Sequence, residues 1–317
     1  MPDLRFTRLI LAALGSLAIV FALPAQAQMP ADIAAKVKEI GRVVDPPKTA
    51  PLYLPLHQKE PYEGVKVARD VKYDSDARQA LDIFTPESAA GPAPVFMFVH
   101  PGGFVAGNRR GPNDSPFYDN FMLFAAKNGM VGVNAGYRLA PANPWPAAPQ
   151  DVAAAVKWVR ENIAKHGGDP ERVFINGSSA GGSIVASYLA DKSLWPSKDN
   201  PGIKGAILMA GVYDFILFPN GKGEIAYLGE DKSKYEERSP LKGIMASGVP
   251  LLVVHAELDP PDQVQQSGIL YANLCNKNLC PKRLVLPAHS HMSTVYAVNT
   301  DDKQLDNAML DFMKGVK

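Results

Sequence analysis

Apolar residues along this chain fall into short runs separated by longer amphipathic stretches. Val95-Phe96-Met97-Phe98-Val99 is wholly apolar and β-favouring, the pattern of a strand buried on both faces. Val65–Val71, Ala80–Phe84, Met130–Val133, Val173–Ile175, Ile203–Met209, Val249–Val254 and Arg283–Leu286 read as further strands. Helical patterns lie between them. The clearest runs from Asp151 to Lys165, with Val152, Val156, Trp158 and Val159 on one face, and Gly167-Gly168 stops it. This alternation predicts an α/β fold with a doubly wound, mainly parallel sheet and right-handed crossovers. From Tyr213 to about Ser247 the periodicity weakens and charges accumulate, which fits part of a lid.

The N-terminal end follows different rules. Arg5 and Arg8 precede an apolar run from Leu9 to Leu23, and Ala25-Gln26-Ala27 supplies an A-x-A cleavage site. Residues 1–27 are therefore expected to be a secretory signal peptide, with the mature chain beginning near Gln28 and exported, periplasmic or secreted. The run is short for a bilayer span, and no later stretch is long and apolar enough, so stable membrane insertion of the mature chain is not expected. Residues 28–64 hold one short amphipathic helix near Ala31–Ile40 and then Pro46, Pro47, Pro51, Pro55 and Pro61. They read as an arm or partial cap on a larger domain spanning 65–317.

Charge narrows the function classes. With 33 basic and 32 acidic residues and no lysine-arginine block, the chain offers no electrostatic footprint for nucleic acid. Its two cysteines, Cys275 and Cys280, are expected to pair as a local disulfide in an oxidising compartment. C-x4-C with no further cysteine or histidine pair nearby is poor zinc spacing.

The most informative segment is Gly177-Ser178-Ser179-Ala180-Gly181. It follows the β-favouring Arg172–Asn176 and precedes a helical run through Ala190, the strand-turn-helix setting of a nucleophile elbow. Ser178 would need glycines at Asn176 and Ala180, so the register admits Ser179 alone. Open parallel sheets place their sites at the carboxyl ends of strands. Three more predicted strand ends carry His100-Pro101-Gly102-Gly103-Phe104, His255-Ala256-Glu257-Leu258-Asp259-Pro260 and Pro287-Ala288-His289-Ser290-His291-Met292. Read in order, they give Ser, Asp, His.

From about Val65 to the C-terminus the chain resembles the α/β-hydrolases, nearest to hormone-sensitive-lipase-like and kynurenine-formamidase-like esterases. Tyr137-Arg138-Leu139-Ala140-Pro141, with Pro146-Ala147-Ala148 and Asp151, is similar to a block those esterases carry. The serine and acid motifs resemble theirs as well. The resemblance implies a serine carboxylesterase with Ser179 as nucleophile, His291 as base and Asp259 orienting the imidazole, working without metal or organic cofactor. Backbone N–H groups of Gly102, Gly103 and Ala180 would hold the oxyanion, where one donor is worth about 3 kcal/mol. The family's loop often reads His-Gly-Gly-Gly; here Pro101 has no N–H, and the two following glycines remain.

Rivals stay open at two positions. His289 competes with His291, which precedes Met292 as the family's catalytic histidine often precedes Phe or Met. Glu257 and Asp262 compete with Asp259, and both read most simply as solvated surface. His100 reads as satisfying backbone groups of its loop, His166 as a helix C-terminal residue, His255 as a packing residue, and nothing marks His57 as a ligand. Asn176-Gly177-Ser178 is a formal glycosylation sequon on the buried approach to the elbow. Trp145 and Phe104 are candidate pocket residues. The expected partner is a small-molecule ester, the chain being monomer or homodimer. An arylformamidase-like amide hydrolase or a polysaccharide acetyl or feruloyl esterase would share the same triad. A non-catalytic binding role predicts a lost triad or oxyanion position, and none is lost; a structural envelope role leaves the strand-end motifs unexplained.

Overall fold

The computed structural model describes residues 28–88, 91–111 and 115–316; the predicted signal peptide lies outside the described residues. The chain opens with α1 (Ala31–Ile40) and α2 (Pro46–Tyr53). Pro46 and Pro47 fit the first turn of α2, where no N–H is required, and Asp45 accepts from Lys48 N at 3.0 Å to cap it. Then come β1 (Val65–Lys72), β2 (Ala80–Pro86), β3 (Ala93–Val99), α3 (Asp119–Lys127), β4 (Val131–Ala135), α4 (Ala147–Asn162), β5 (Gly168–Ser178) and α5 (Ala180–Ala190). The second half holds β6 (Gly205–Met209), α6 (Lys222–Leu228), α7 (Tyr235–Arg238), α8 (Leu241–Met245), β7 (Leu251–Leu258), α9 (Pro261–Cys275), β8 (Lys282–Ser290), α10 (His291–Tyr296) and α11 (Gln304–Gly315).

Eight strands form one sheet in the order β1-β2-β4-β3-β5-β6-β7-β8. The β1–β2 and β2–β4 pairs are antiparallel, and every other pair is parallel. Alternation along the strands divides the core between two faces. On β3, Val95, Met97 and Val99 join Val152, Val156 and Ile184 on the side of α4, α5 and α9. Phe96 and Phe98 face the other way, onto Phe121, Phe124 and Phe312 of α3 and α11. Ile33, Val37 and Tyr53 of the arm are buried in this second layer, so the arm is built into a face of the sheet.

Every predicted strand is present, with shifted ends. β5 begins five residues before Val173, because Gly168 already pairs with Ala93 although Asp169–Arg172 carries no apolar alternation. The charged segment after Tyr213 forms α6, α7 and α8. Its aromatic residues turn inward, and Tyr227 stacks on Phe104 with ring centroids 4.2 Å apart. Cys275 and Cys280 are disulfide-bonded at the end of α9. No helix among the described residues is long and apolar enough to cross a membrane.

Candidate active site

Ser179 stands between β5 and α5 at φ 55° and ψ −122°, a conformation L-residues avoid at a cost of about 1–3 kcal/mol. Its N–H donates to Met209 O on β6 at 2.8 Å, and its carbonyl accepts from Ser183 N at 3.1 Å. The flanking glycines allow the turn because backbone passes against them. A Cβ on Gly177 would strike Gly181 O, and one on Gly181 would strike Val99 O and lie 2.7 Å from His100 O. The elbow therefore rests on the end of β3, where the His100–Phe104 loop begins.

That loop presents unused donors. Gly102 and Gly103 take φ of 144° and 58°, and Gly102 O accepts from Ala106 N at 2.9 Å. The N–H groups of Gly102, Gly103 and Ala180 donate to no carbonyl among the described residues. His100 stiffens the loop: it is fully buried, its Nδ1 donates to Pro101 O at 2.8 Å, and its ring stacks on Tyr137 at 4.2 Å. Burial pushes its pKa down to about 3, which keeps the ring neutral and removes it from proton transfer. Tyr137 OH donates to His100 O at 3.0 Å, while Arg138 and Asp151 pair through 2.7–3.0 Å contacts. The Tyr137–Pro141 block thus braces the loop from behind.

Pairing of Leu258 with Ser290 brings the ends of β7 and β8 together. His291 Nδ1 lies 2.7 Å from Asp259 Oδ1, and Asp259 Oδ2 accepts from Ala256 N at 2.6 Å. Both side chains are buried. A carboxylate acceptor assigns the proton to Nδ1 and leaves Nε2 as the basic nitrogen. Among the hydrogen bonds of the described residues, His291 is joined to Asp259 and not to Ser179 Oγ. Contacts between base and nucleophile often close only when substrate binds.

The rivals have other employment. His289 Nε2 contacts Asp302 Oδ2 at 2.9 Å and its Nδ1 contacts Ser293 Oγ at 3.2 Å, so neither nitrogen is free. Glu257 is a loop clamp rather than a solvated surface residue, accepting from Ala288 N at 2.8 Å. Asp262 is exposed on the first turn of α9. Phe104 is buried under Tyr227 and Phe215. Trp145 lies beneath Arg238 at 5.1 Å. Asn176 is fully buried in β5, which closes the sequon to modification.

Three residues that carried no sequence signal hold the surroundings in place. Gln266 on α9 is fully buried and accepts from Tyr213 N and Asp214 N at 2.9 and 2.8 Å, fixing the loop after β6. Asn120 on α3 donates to Val295 O and Val298 O at 2.9 and 3.2 Å. His57 of the arm donates from Nε2 to Tyr296 O at 2.7 Å, and burial lowers its pKa. Next to α10 a cavity of about 490 Å³ is walled by Pro46, Leu54, Phe117, Tyr118 and Tyr296, shared by arm and core.

A model of the BD-FAE family matches residues 81–274. Esterase LipQ of Mycobacterium tuberculosis is 29% identical over 262 residues, covering 77% of this chain and 61% of that protein. The probable carboxylic ester hydrolase LipM of the same organism is 28% identical, covering 65% of this chain and 53% of its own length. The chain thus spans only a little over half of these curated relatives. Among solved structures, a bacterial heroin esterase superposes with a TM-score of 0.67 at 22% identity, covering 92% of this chain and 99% of that one. That likeness establishes the α/β-hydrolase fold.

Proposed function

Since the chain belongs to the BD-FAE family and has the α/β-hydrolase fold, we propose that it hydrolyses carboxylic esters of small molecules through a Ser179-His291-Asp259 triad. The observation that carries this reading is the buried 2.7 Å His291–Asp259 contact, at the same carboxyl-end edge of the parallel strands that carries a serine in strained elbow geometry. His291 Nε2 takes the Ser179 hydroxyl proton as Oγ attacks the ester carbonyl, and Asp259 stabilises the imidazolium. The oxyanion accepts from the free N–H groups of Gly103 and Ala180, with Gly102 as a third donor. The C–O bond to the alcohol breaks and the alcohol leaves with the proton from His291. Water then enters by the same steps in reverse and releases the acid from Ser179.

The names LipQ and LipM point to the same reaction class. Export through the N-terminal leader belongs to this reading, and the Cys275–Cys280 disulfide supports it because such bonds persist in oxidising compartments.

Hydrolysis of p-nitrophenyl esters from acetate to palmitate, wild type beside Ser179→Ala, tests the proposal. Turnover should fall on the order of 10⁴-fold or more in the variant with the fold intact. A folded Ser179→Ala protein that keeps the wild-type rate overturns it, as does a folded wild type that hydrolyses no ester in the series.

A further inference from the structure

Two residues before His291 stands a second buried histidine–carboxylate pair that the proposed chemistry does not use. His289 and Asp302 are 1% and 4% exposed, as thoroughly buried as His291 and Asp259 at 3% and 1%. We propose that His289, tied to Asp302 and Ser293, is a positioning residue that fixes the orientation of His291. The proposal rests on the reading of His291 as the base.

The contacts form a continuous chain. Asp302 Oδ2 accepts the proton on His289 Nε2 at 2.9 Å. Ser293 Oγ lies 3.2 Å from His289 Nδ1 and also 3.2 Å from Ser290 O. The same Ser293 oxygen accepts the N–H of Ser290 at 2.7 Å, in the residue directly before His291. The far end is anchored too: Asp302 Oδ1 accepts from Gln304 N at 3.1 Å, and Asp302 N donates to Thr300 Oγ1 at 3.3 Å. Burial would push the Asp302 carboxyl up, but His289 and Gln304 hold it below the ordinary carboxylate range, so it remains an acceptor. The chain therefore ties the loop between α10 and α11 to the first residues of α10.

Filling space does not require this arrangement. Two apolar side chains of similar volume would avoid the desolvation that a buried imidazole and carboxylate incur, and such replacements are often neutral or stabilising. What the polar pair supplies is direction. His291 is the first residue of a helix only six residues long, which is too short to hold its own N-terminus rigidly. Triad geometry tolerates displacements of about half an ångström. A hydrogen-bond chain ending one peptide from the imidazole meets that demand.

The experiment compares full-length wild type, His289→Leu, His289→Gln and Ser293→Ala. Three readouts are taken: kcat and KM on a short p-nitrophenyl ester, the low-field proton resonance of His291 Nδ1–H against Asp259, and the melting temperature. His289→Leu should lower kcat on the order of 10²-fold, leave KM within about twofold, and shift or broaden the low-field resonance. His289→Gln, which keeps a donor for Asp302, should recover part of the loss. Ser293→Ala cuts the chain while leaving the pair, and it decides the matter should His289→Leu fail to fold. Wild-type kcat and an unmoved resonance in the folded variants overturn the proposal, whatever happens to the melting temperature. Wild-type turnover in His291→Ala would instead overturn the reading of the base, so the two failures are told apart.

Discussion

The serine side and the histidine side of the site are held by opposite means. At Ser179 the geometry comes from backbone: a positive φ, glycines that let Gly177 and Gly181 press on neighbouring carbonyls, and one N–H tied to β6. At His291 it comes from side chains far away in sequence. Asn120 reaches Val295 O across 175 positions and His57 reaches Tyr296 O across 239. An elbow between a buried strand and a buried helix is rigid once its neighbours pack, since there is no free volume for it to move into. A six-residue helix, although buried along its length, is too short to fix its own ends and is fastened from outside. Steric fit builds one half of the site, and satisfied polar groups build the other.

The largest expected effect comes from disturbing the steric half. In Gly181→Ala the new methyl meets Val99 O and His100 O, both backbone atoms that yield only if β3 or α5 shifts. Overpacking of this kind costs about 1–3 kcal/mol, occasionally more. Because His100 opens the loop that carries Gly102 and Gly103, turnover should collapse as well. Urea midpoints with ester hydrolysis on the same samples provide the check, and a variant with wild-type stability and rate would refute the close-approach argument. A smaller effect on turnover follows on the polar half. Asn120→Ala leaves Val295 O and Val298 O without their donor, at about 1–3 kcal/mol. Its kcat should fall less steeply than in Gly181→Ala, since His57 and the His289 chain still hold α10. Equal loss in both variants would erase the distinction between the two halves.

The same division explains what the sequence discloses. Ser179 is legible because its elbow needs glycines at fixed offsets, and the apolar run Val95–Val99 is legible because burial on both faces excludes polar residues. Asp259 is separated from Glu257 only by the register that sets Leu258 against Ser290, and register is a property of two strands rather than one. His57 and Asn120 are opaque for a deeper reason. Their partners are backbone carbonyls, which every residue possesses, so nothing in the composition of α10 marks it as their target. The lid-like segment after Tyr213 is read as charged and irregular, yet Phe215, Tyr227 and Tyr235 bury themselves against the core. Isolated aromatic anchors in a polar stretch carry no period that would reveal which way they face.

The smallest effect separates the halves by pH. Asp306 on α11 is buried against Asn299 N, and that burial pushes its pKa from 3.8 to about 6. Asp302, four residues earlier, is held below the ordinary carboxylate range by His289, whereas Lys303 and Asn299 N, each 3.3 Å from Asp306, do not offset its burial. Folding raises the Asp306 pKa above its unfolded value. Its contribution is therefore whole below about pH 4 and is lost as pH rises through about 6. At pH 7.5 the ionised carboxylate is a burden that Asp306→Asn removes, and the advantage of the variant should shrink by roughly 1 kcal/mol between pH 7.5 and pH 5. The difference between the two proteins is the quantity to measure, because the buried ring of His100 pulls the whole stability curve the other way on acidification. Urea melts of both proteins at the two pH values give that difference. Parallel curves would mean that Asp306 titrates as it does in the unfolded chain, and that the histidine half, like the serine half, is fastened without regard to charge.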